Sequence, residues 1–201
     1  MQVLAFGHQK RVGKDESSKI AMSYLRLSGK YQNVQKKGFA DKVKQQCYEL
    51  YQWAGLQPGP YYDDPANAHL REQVLPLIGQ TPRQLWIGHG MAVRQYYPNV
   101  WVDYLLKSTR AQFLIVSDMR FPNEAEAIHS LGGKVIKIVR PSIIHTSDAA
   151  DDPLLDYTGW DDILVNDSDI AGLTIKVHRI LEKHFGTQNL GGSQTHSTVL
   201  G

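Results

Sequence analysis

The sequence predicts an α/β protein built as a three-layer sandwich, with a mostly parallel sheet of about five strands, helices on both faces and a helical lid or acceptor region. Three observations carry this expectation. Five short β-branched or apolar runs punctuate the 201 residues, segments with apolar residues three and four apart lie between them, and a Gly-Lys turn joins the first run to the first such segment. Continuous apolar strands that alternate with helices argue for a parallel sheet buried on both faces, and such sheets bind ligands outside the carboxyl ends of their strands.

The strand runs are residues 3–6, a weaker 34–39, 113–117, 135–139 and 163–165. Helical spacing covers 14–27, 41–53, 82–93, 100–107, 123–131 and 171–185. Residues 55–65 are rich in Gly, Pro and Asp and predict an exposed loop, and 141–162 are similarly irregular. From Gly186 on the chain has few apolar anchors, so a domain over 1–187 and a loose, non-catalytic tail over 188–201 are expected.

Composition narrows the function. The net charge is only +2, yet residues 1–47 carry +7 and residues 145–170 carry −8, the latter from eight aspartates without Lys, Arg or Glu. That asymmetry points to an anion site near the N-terminal end rather than to general nucleic-acid coating. Neither a long apolar run nor a signal-peptide core is present, so the expected location is cytoplasmic, with no membrane partner. The single Cys47 excludes an internal disulfide and a cysteine-ligated zinc site, and reads as a small buried hydrophobe.

After the first strand run comes Gly7-His8-Gln9-Lys10-Arg11-Val12-Gly13-Lys14-Asp15-Glu16, and then a helix. Strand, loop and helix in this order form a P-loop, which needs inward-facing backbone N–H groups, a lysine that reaches the β- and γ-phosphates and a helix N-terminus that favours the anion. His8 stands at the first glycine position of the pattern, and Asp15 replaces the hydroxyl residue that normally ligates Mg²⁺. A carboxylate there can hold the ion through its water shell. The bland alternative is a Gly-Lys turn whose Asp15 and Glu16 merely suit the helix dipole.

A second cluster, Asp118-Met119-Arg120-Phe121-Pro122-Asn123-Glu124, sets an acid and an arginine just past a strand end. Asp118 is a candidate for orienting hydrated Mg²⁺ or an acceptor, and Arg120 for gripping a phosphate bidentately; an Asp–Arg turn ahead of a helix is the alternative. With these motifs in hand, the chain to about Phe185 resembles the phage-type deoxynucleoside monophosphate kinases. The resemblance rests on Gly13-Lys14-Asp15, Phe39-Ala40-Asp41-Lys42-Val43-Lys44, Thr81-Pro82-Arg83-Gln84-Leu85 with Gly90, Arg94 and Trp101-Val102-Asp103, then Asp118 to Glu124, Arg140-Pro141, His145-Thr146-Ser147-Asp148 and Asn166-Asp167. The family's Gly-Thr-Glu is replaced here by Gly90-Met91-Ala92, so two of its contacts do not transfer.

What the resemblance implies is a P-loop NTPase-type fold and transfer of the γ-phosphoryl group of ATP, with Mg²⁺, to a deoxynucleoside 5′-monophosphate for DNA precursor synthesis. It implies ATP contacts at His8, Lys10, Arg11, Val12, Gly13, Lys14, Asp15 and Glu16, with metal contacts through water at Asp15 and Asp118. Acceptor contacts are implied at Lys44, Arg83, Gly90, Arg94, Trp101, Asp118, Arg120, Arg140 and Asp148, and the transfer itself falls to Lys14, Arg83 and Arg120. From the residues alone, Arg83 and Arg94 read equally as solvent-facing helix residues, and Trp101 as a core anchor. A closing lid is expected within 83–110 or 141–162. No nucleic-acid partner is expected, and a homodimer is left open. Two other readings stand beside this one: a P-loop kinase of another small phosphorylated metabolite, and a non-catalytic nucleotide- or nucleic-acid-binding protein.

Overall fold

The computed structural model describes residues 1–143 and 152–187. Its centre is β1 (Gln2–Gly7), in which every residue after Gln2 is buried and successive side chains enter opposite layers. Val3 and Ala5 join one apolar cluster, and Leu4 and Phe6 the other. A strand buried on both faces must be covered twice, and the chain supplies the cover from its helices. With β2 (Val34–Lys37), β3 (Phe113–Met119), β4 (Lys134–Val139) and β5 (Asp162–Val165), the sheet runs in the order β2-β3-β1-β4-β5, with every pairing parallel.

One face packs against α1 (Lys14–Leu27) and α7 (Ile170–Phe185), through residues such as Ala21, Leu25, Leu173, Val177 and Leu181. The other takes α2 (Ala40–Tyr51), α4 (Pro82–Tyr96), α5 (Val100–Ser108) and α6 (Pro122–Ser130), with Val43, Trp101, Leu105 and Ile128 in its core. Local signals explain the helix ends. Thr81 and Gln84 form a reciprocal capping box with Pro82 in the first turn of α4, and the Asp169 carboxylate accepts the Gly172 N–H at the start of α7. No helix among the described residues is long and apolar enough to cross a membrane.

The structure departs from the sequence expectation at residues 55–65. A short helix, α3 (Gly59–Asp63), stands where an exposed loop is expected, and Tyr62 and Leu56 are buried. Pro58 and Pro60 are at the helix start, where a missing N–H costs nothing, and Tyr62 packs edge-on against Trp86 of α4 at 5.3 Å. Within the expected lid, α5 is tied into the core by Trp101, Val102 and Leu105. Residues 144–151 and the tail at 188–201 lie outside the described residues.

The aspartate-rich stretch is stitched to the fold in its described part. Asp161 meets Lys134 and His129 at 2.8 Å each and accepts the Val135 N–H; Asp162 meets Lys183 at 2.9 Å, and Asp167 pairs with Lys176. These contacts link β5 to β4 and α7.

Candidate functional site

Parallel strands put all their carboxyl ends on one edge, so the loops that follow them meet there. Four of those loops contain the motifs singled out in sequence: 8–13 after β1, Gly38-Phe39 after β2, Arg120-Phe121 after β3 and Arg140 after β4. Asn166 follows β5 on the same edge.

Between β1 and α1 the backbone turns back on itself. His8, Arg11 and Gly13 have φ of 88°, 61° and 106°. Left-handed residues this close together are uncommon, and they shape the concavity of backbone N–H groups that binds anions. His8 takes, at a non-glycine residue, a conformation that glycine adopts freely. The buried Lys14 ammonium donates to the carbonyls of His8 and Gln9, so the lysine spans the loop from inside. Gly13 caps α1, whose N-terminus faces the loop, and its carbonyl accepts the Ser17 N–H at 2.9 Å.

A methyl group at Gly13 would come within 2.5 Å of the Asn166 amide, on a backbone that already disfavours any side chain. Gly13→Ala is therefore expected to weaken binding of a phosphate-bearing ligand at this loop by roughly tenfold or more, since a shift of a few tenths of an ångström misaims donors that must converge. Calorimetric titration with MgATP checks this; unchanged affinity would show that the loop tolerates a side chain.

The Phe39-Ala40-Asp41 motif has a structural job. Asp118 accepts the N–H groups of Phe39 at 2.8 Å and Ala40 at 2.9 Å, while Asp41 accepts that of Gly38 at 2.7 Å. These carboxylates satisfy the donors at the head of α2 and pin that helix to the end of β3. Both oxygens of Asp118 are engaged this way, a structural role beside the metal- or acceptor-orienting one read from sequence. Gly38 is required by the same contact, because a Cβ there would meet Asp118 at 2.6 Å.

Lys44 lies on α2 beyond this pin, 3.1 Å from Asp63 and 5.5 Å over the Trp86 ring. Arg83 is 3.7 Å from Glu72, and Arg71 is 3.2 Å from the same Asp63 oxygen that Lys44 meets. Three basic side chains from α2, α4 and the turn of 68–72 thus gather with two acids. Arg71 was invisible in sequence, since it lies in a stretch without periodicity or motif; it is placed by hydrogen bonds to the Tyr62 carbonyl. Arg120 and Arg140 stand at their strand ends, Arg140 exposed and Arg120 half-buried. Lys10 is half-buried on the loop, and Arg11 and Glu16 are exposed beside it.

Three acceptor expectations meet a different geometry. Arg94 lies 2.6 Å from Glu124, with side chains only 13% and 2% exposed, and its guanidinium covers the Phe121 ring. Glu124 also accepts the N–H groups of Arg120 at 2.7 Å and Phe121 at 3.1 Å. Arg94 therefore pins α4 to the strand-end motif. Trp101 is a core anchor that donates to the Gly90 carbonyl at 3.1 Å, and a Cβ at Gly90 would be in ordinary contact with Val43 of α2, 3.5 Å away. Asp148 lies outside the described residues.

Burial pushes the Glu124 carboxyl up to about 7, against the pull of Arg94 and of the Arg120 N–H. A raised carboxyl pKa in the folded state contributes stability that is present below the unfolded pKa and lost as pH rises through the folded one. The stability advantage of the wild type over Glu124→Gln should accordingly shrink between pH 5 and pH 8, as read by denaturant melts. An advantage independent of pH would show that Glu124 keeps its charge throughout. Burial likewise raises the Cys47 thiol, to about 11, so it behaves as the inert hydrophobe expected.

Asp15 is an exposed carboxylate one residue after Lys14, and Lys36 approaches it at 3.3 Å. Magnesium takes one or two carboxylates, keeps several waters and draws the rest of its shell from substrate phosphates. Asp15 fits that requirement, and no denser cluster of metal-binding side chains occurs among the described residues.

No family model matches the chain. In sequence it is 29% identical over 181 residues, spanning 79% of this chain and 86% of the other, to an Acanthamoeba polyphaga mimivirus protein named "Putative deoxynucleotide monophosphate kinase". Among solved structures it is similar to a Chloroflexus aurantiacus protein titled a "putative kinase", at 12% identity and a TM-score of 0.40 over 91% of this chain and 97% of that one, too distant to bear on the reading. The chain thus combines a turn bridged by its own lysine, at the carboxyl edge of a parallel sheet, with a likeness over most of its length to a protein named as a kinase.

Proposed function

We propose that this protein is a kinase that transfers the γ-phosphoryl group of ATP to a deoxynucleoside 5′-monophosphate, giving ADP and the deoxynucleoside diphosphate. The observation that carries the reading is a phosphate loop at one point of the carboxyl edge with a separate basic set, Lys44, Arg71 and Arg83, on helices pinned to that edge. The name of the mimivirus relative points to the same acceptor class.

In this mechanism the loop N–H groups and the head of α1 hold the triphosphate, and Lys14 turns from the His8 and Gln9 carbonyls to its β- and γ-oxygens. Lys10 and Arg11 flank the donor. Asp15 would hold magnesium through its water shell, and the ion would supply charge neutralisation at the donor oxygens. Lys44, Arg71, Arg83, Arg120 and Arg140 offset the acceptor charge, so an acceptor phosphate oxygen can approach the γ-phosphorus in line. A new P–O bond forms there as the bond to the β-phosphate oxygen breaks and ADP departs. No strong general base is needed, because the attacking oxygen is already anionic.

The test is ADP release with dAMP, dGMP, dCMP and dTMP supplied in turn, beside their ribonucleotide forms and non-nucleotide phosphates. Turnover that depends on a deoxynucleotide supports the reading. Turnover confined to a non-nucleotide acceptor, or none with any acceptor, overturns it.

A further inference from the structure

We infer that Asn166 is a positioning residue for the nucleotide donor: its side-chain amide, reaching from the end of β5, sets the orientation of the Val12–Gly13 peptide and so aims the Gly13 N–H into the phosphate loop. This rests on the ATP reading of that loop. Asn166 is 7% exposed, its own N–H donates to the Val139 carbonyl at the end of β4 at 2.7 Å, and its Nδ2 donates to the Val12 carbonyl at 2.9 Å. The residue is therefore anchored by its backbone to one strand end while its side chain holds the loop that follows another.

The consequence follows from peptide geometry. In a trans peptide the carbonyl and the N–H point in opposite directions. Fixing the Val12 carbonyl on Asn166 turns the Gly13 N–H to the far side, and rotation of this peptide would replace a donor in the cradle with a carbonyl oxygen that repels phosphate. The loop is most in need of such a hold here, since Gly13 has φ of 106° and a glycine rotates freely in the absence of a contact. The contact is also close enough to exclude any side chain at Gly13. A buried amide is suited to this task, because it offers a donor without placing a charge beside the triphosphate.

The experiment titrates MgATP into the wild type, Asn166→Ala and Asn166→Asp, with melting curves and separate KM values for ATP and acceptor. Both variants are expected to lose ATP affinity by roughly tenfold or more, the scale of one misdirected hydrogen bond to a charged group, with the acceptor KM unchanged. Asn166→Asp supplies a signature that loss of packing alone does not produce. Its carboxylate repels the Val12 carbonyl, but its protonated form donates to it, so affinity relative to Asn166→Ala should recover as pH is lowered from 8 to 5. Taking that ratio cancels the titration of ATP and of neighbouring His8, Lys14 and Asp167. Variants that bind MgATP as tightly as the wild type overturn the inference, as does a loss shared equally by the acceptor KM and the melting midpoint. A wild type that fails to bind MgATP overturns the donor reading, and this inference with it.

Discussion

Lys14→Ala should lose phosphoryl transfer by roughly 100- to 1,000-fold or more in kcat while its melting curve stays near that of the wild type. The ammonium is enclosed by the loop's own carbonyls, those of His8 and Gln9, and it lies at the head of α1. In the donor complex its charge would be exchanged from those carbonyls to the phosphates, where negative charge grows as the γ-bond breaks. Alanine removes that stabilisation without touching either apolar cluster, so the two effects separate in one pair of measurements. If the variant kept most of its turnover, the loop would not be the donor site.

Glu124→Ala should destabilise the fold by about 3–5 kcal/mol, the scale of breaking a buried ion pair by removing one partner. The change leaves the Arg94 guanidinium 13% exposed over the Phe121 ring without its carboxylate, and it strips the Arg120 and Phe121 N–H groups of their acceptor. Since Glu124 joins α4 to the end of β3, the acceptor side should loosen along with the fold. Equilibrium denaturation gives the number. A loss below about 1 kcal/mol would show that solvent replaces the pair at little cost. Arg94→Lys separates the two roles considered for Arg94: a substrate clamp would raise the acceptor KM at constant stability, whereas the pin observed here should lower stability first.

The fold was legible because a strand buried on both faces leaves an unmistakable apolar run and each helix carries its own periodic face. The predicted helix at 14–27 coincides with α1, and the run at 135–139 with β4 less one residue. The loop was legible because Gly13 and Lys14 are fixed by local chemistry. What sequence could not show was which polar residues meet across the chain. Asp118 and Arg94 have the composition of a substrate site, and only tertiary contact shows that their partners are the α2 N–H groups and Glu124. Arg71 and Asn166 lacked a readable role for the same reason, since each acts on a segment distant in sequence or hidden in a short irregular helix. The partners of the aspartates near β5 could not be read either, because those lysines are scattered over β4 and α7.

Phosphoryl transfer to a deoxynucleoside monophosphate is read by following the label from γ-labelled ATP in the presence of each deoxynucleoside monophosphate and resolving the products. Label that enters a deoxynucleoside diphosphate in amounts matching the ADP formed, and that stays in ATP for Lys14→Ala, is the predicted result. Label that appears only as inorganic phosphate, at a rate indifferent to the deoxynucleotide, would contradict the account.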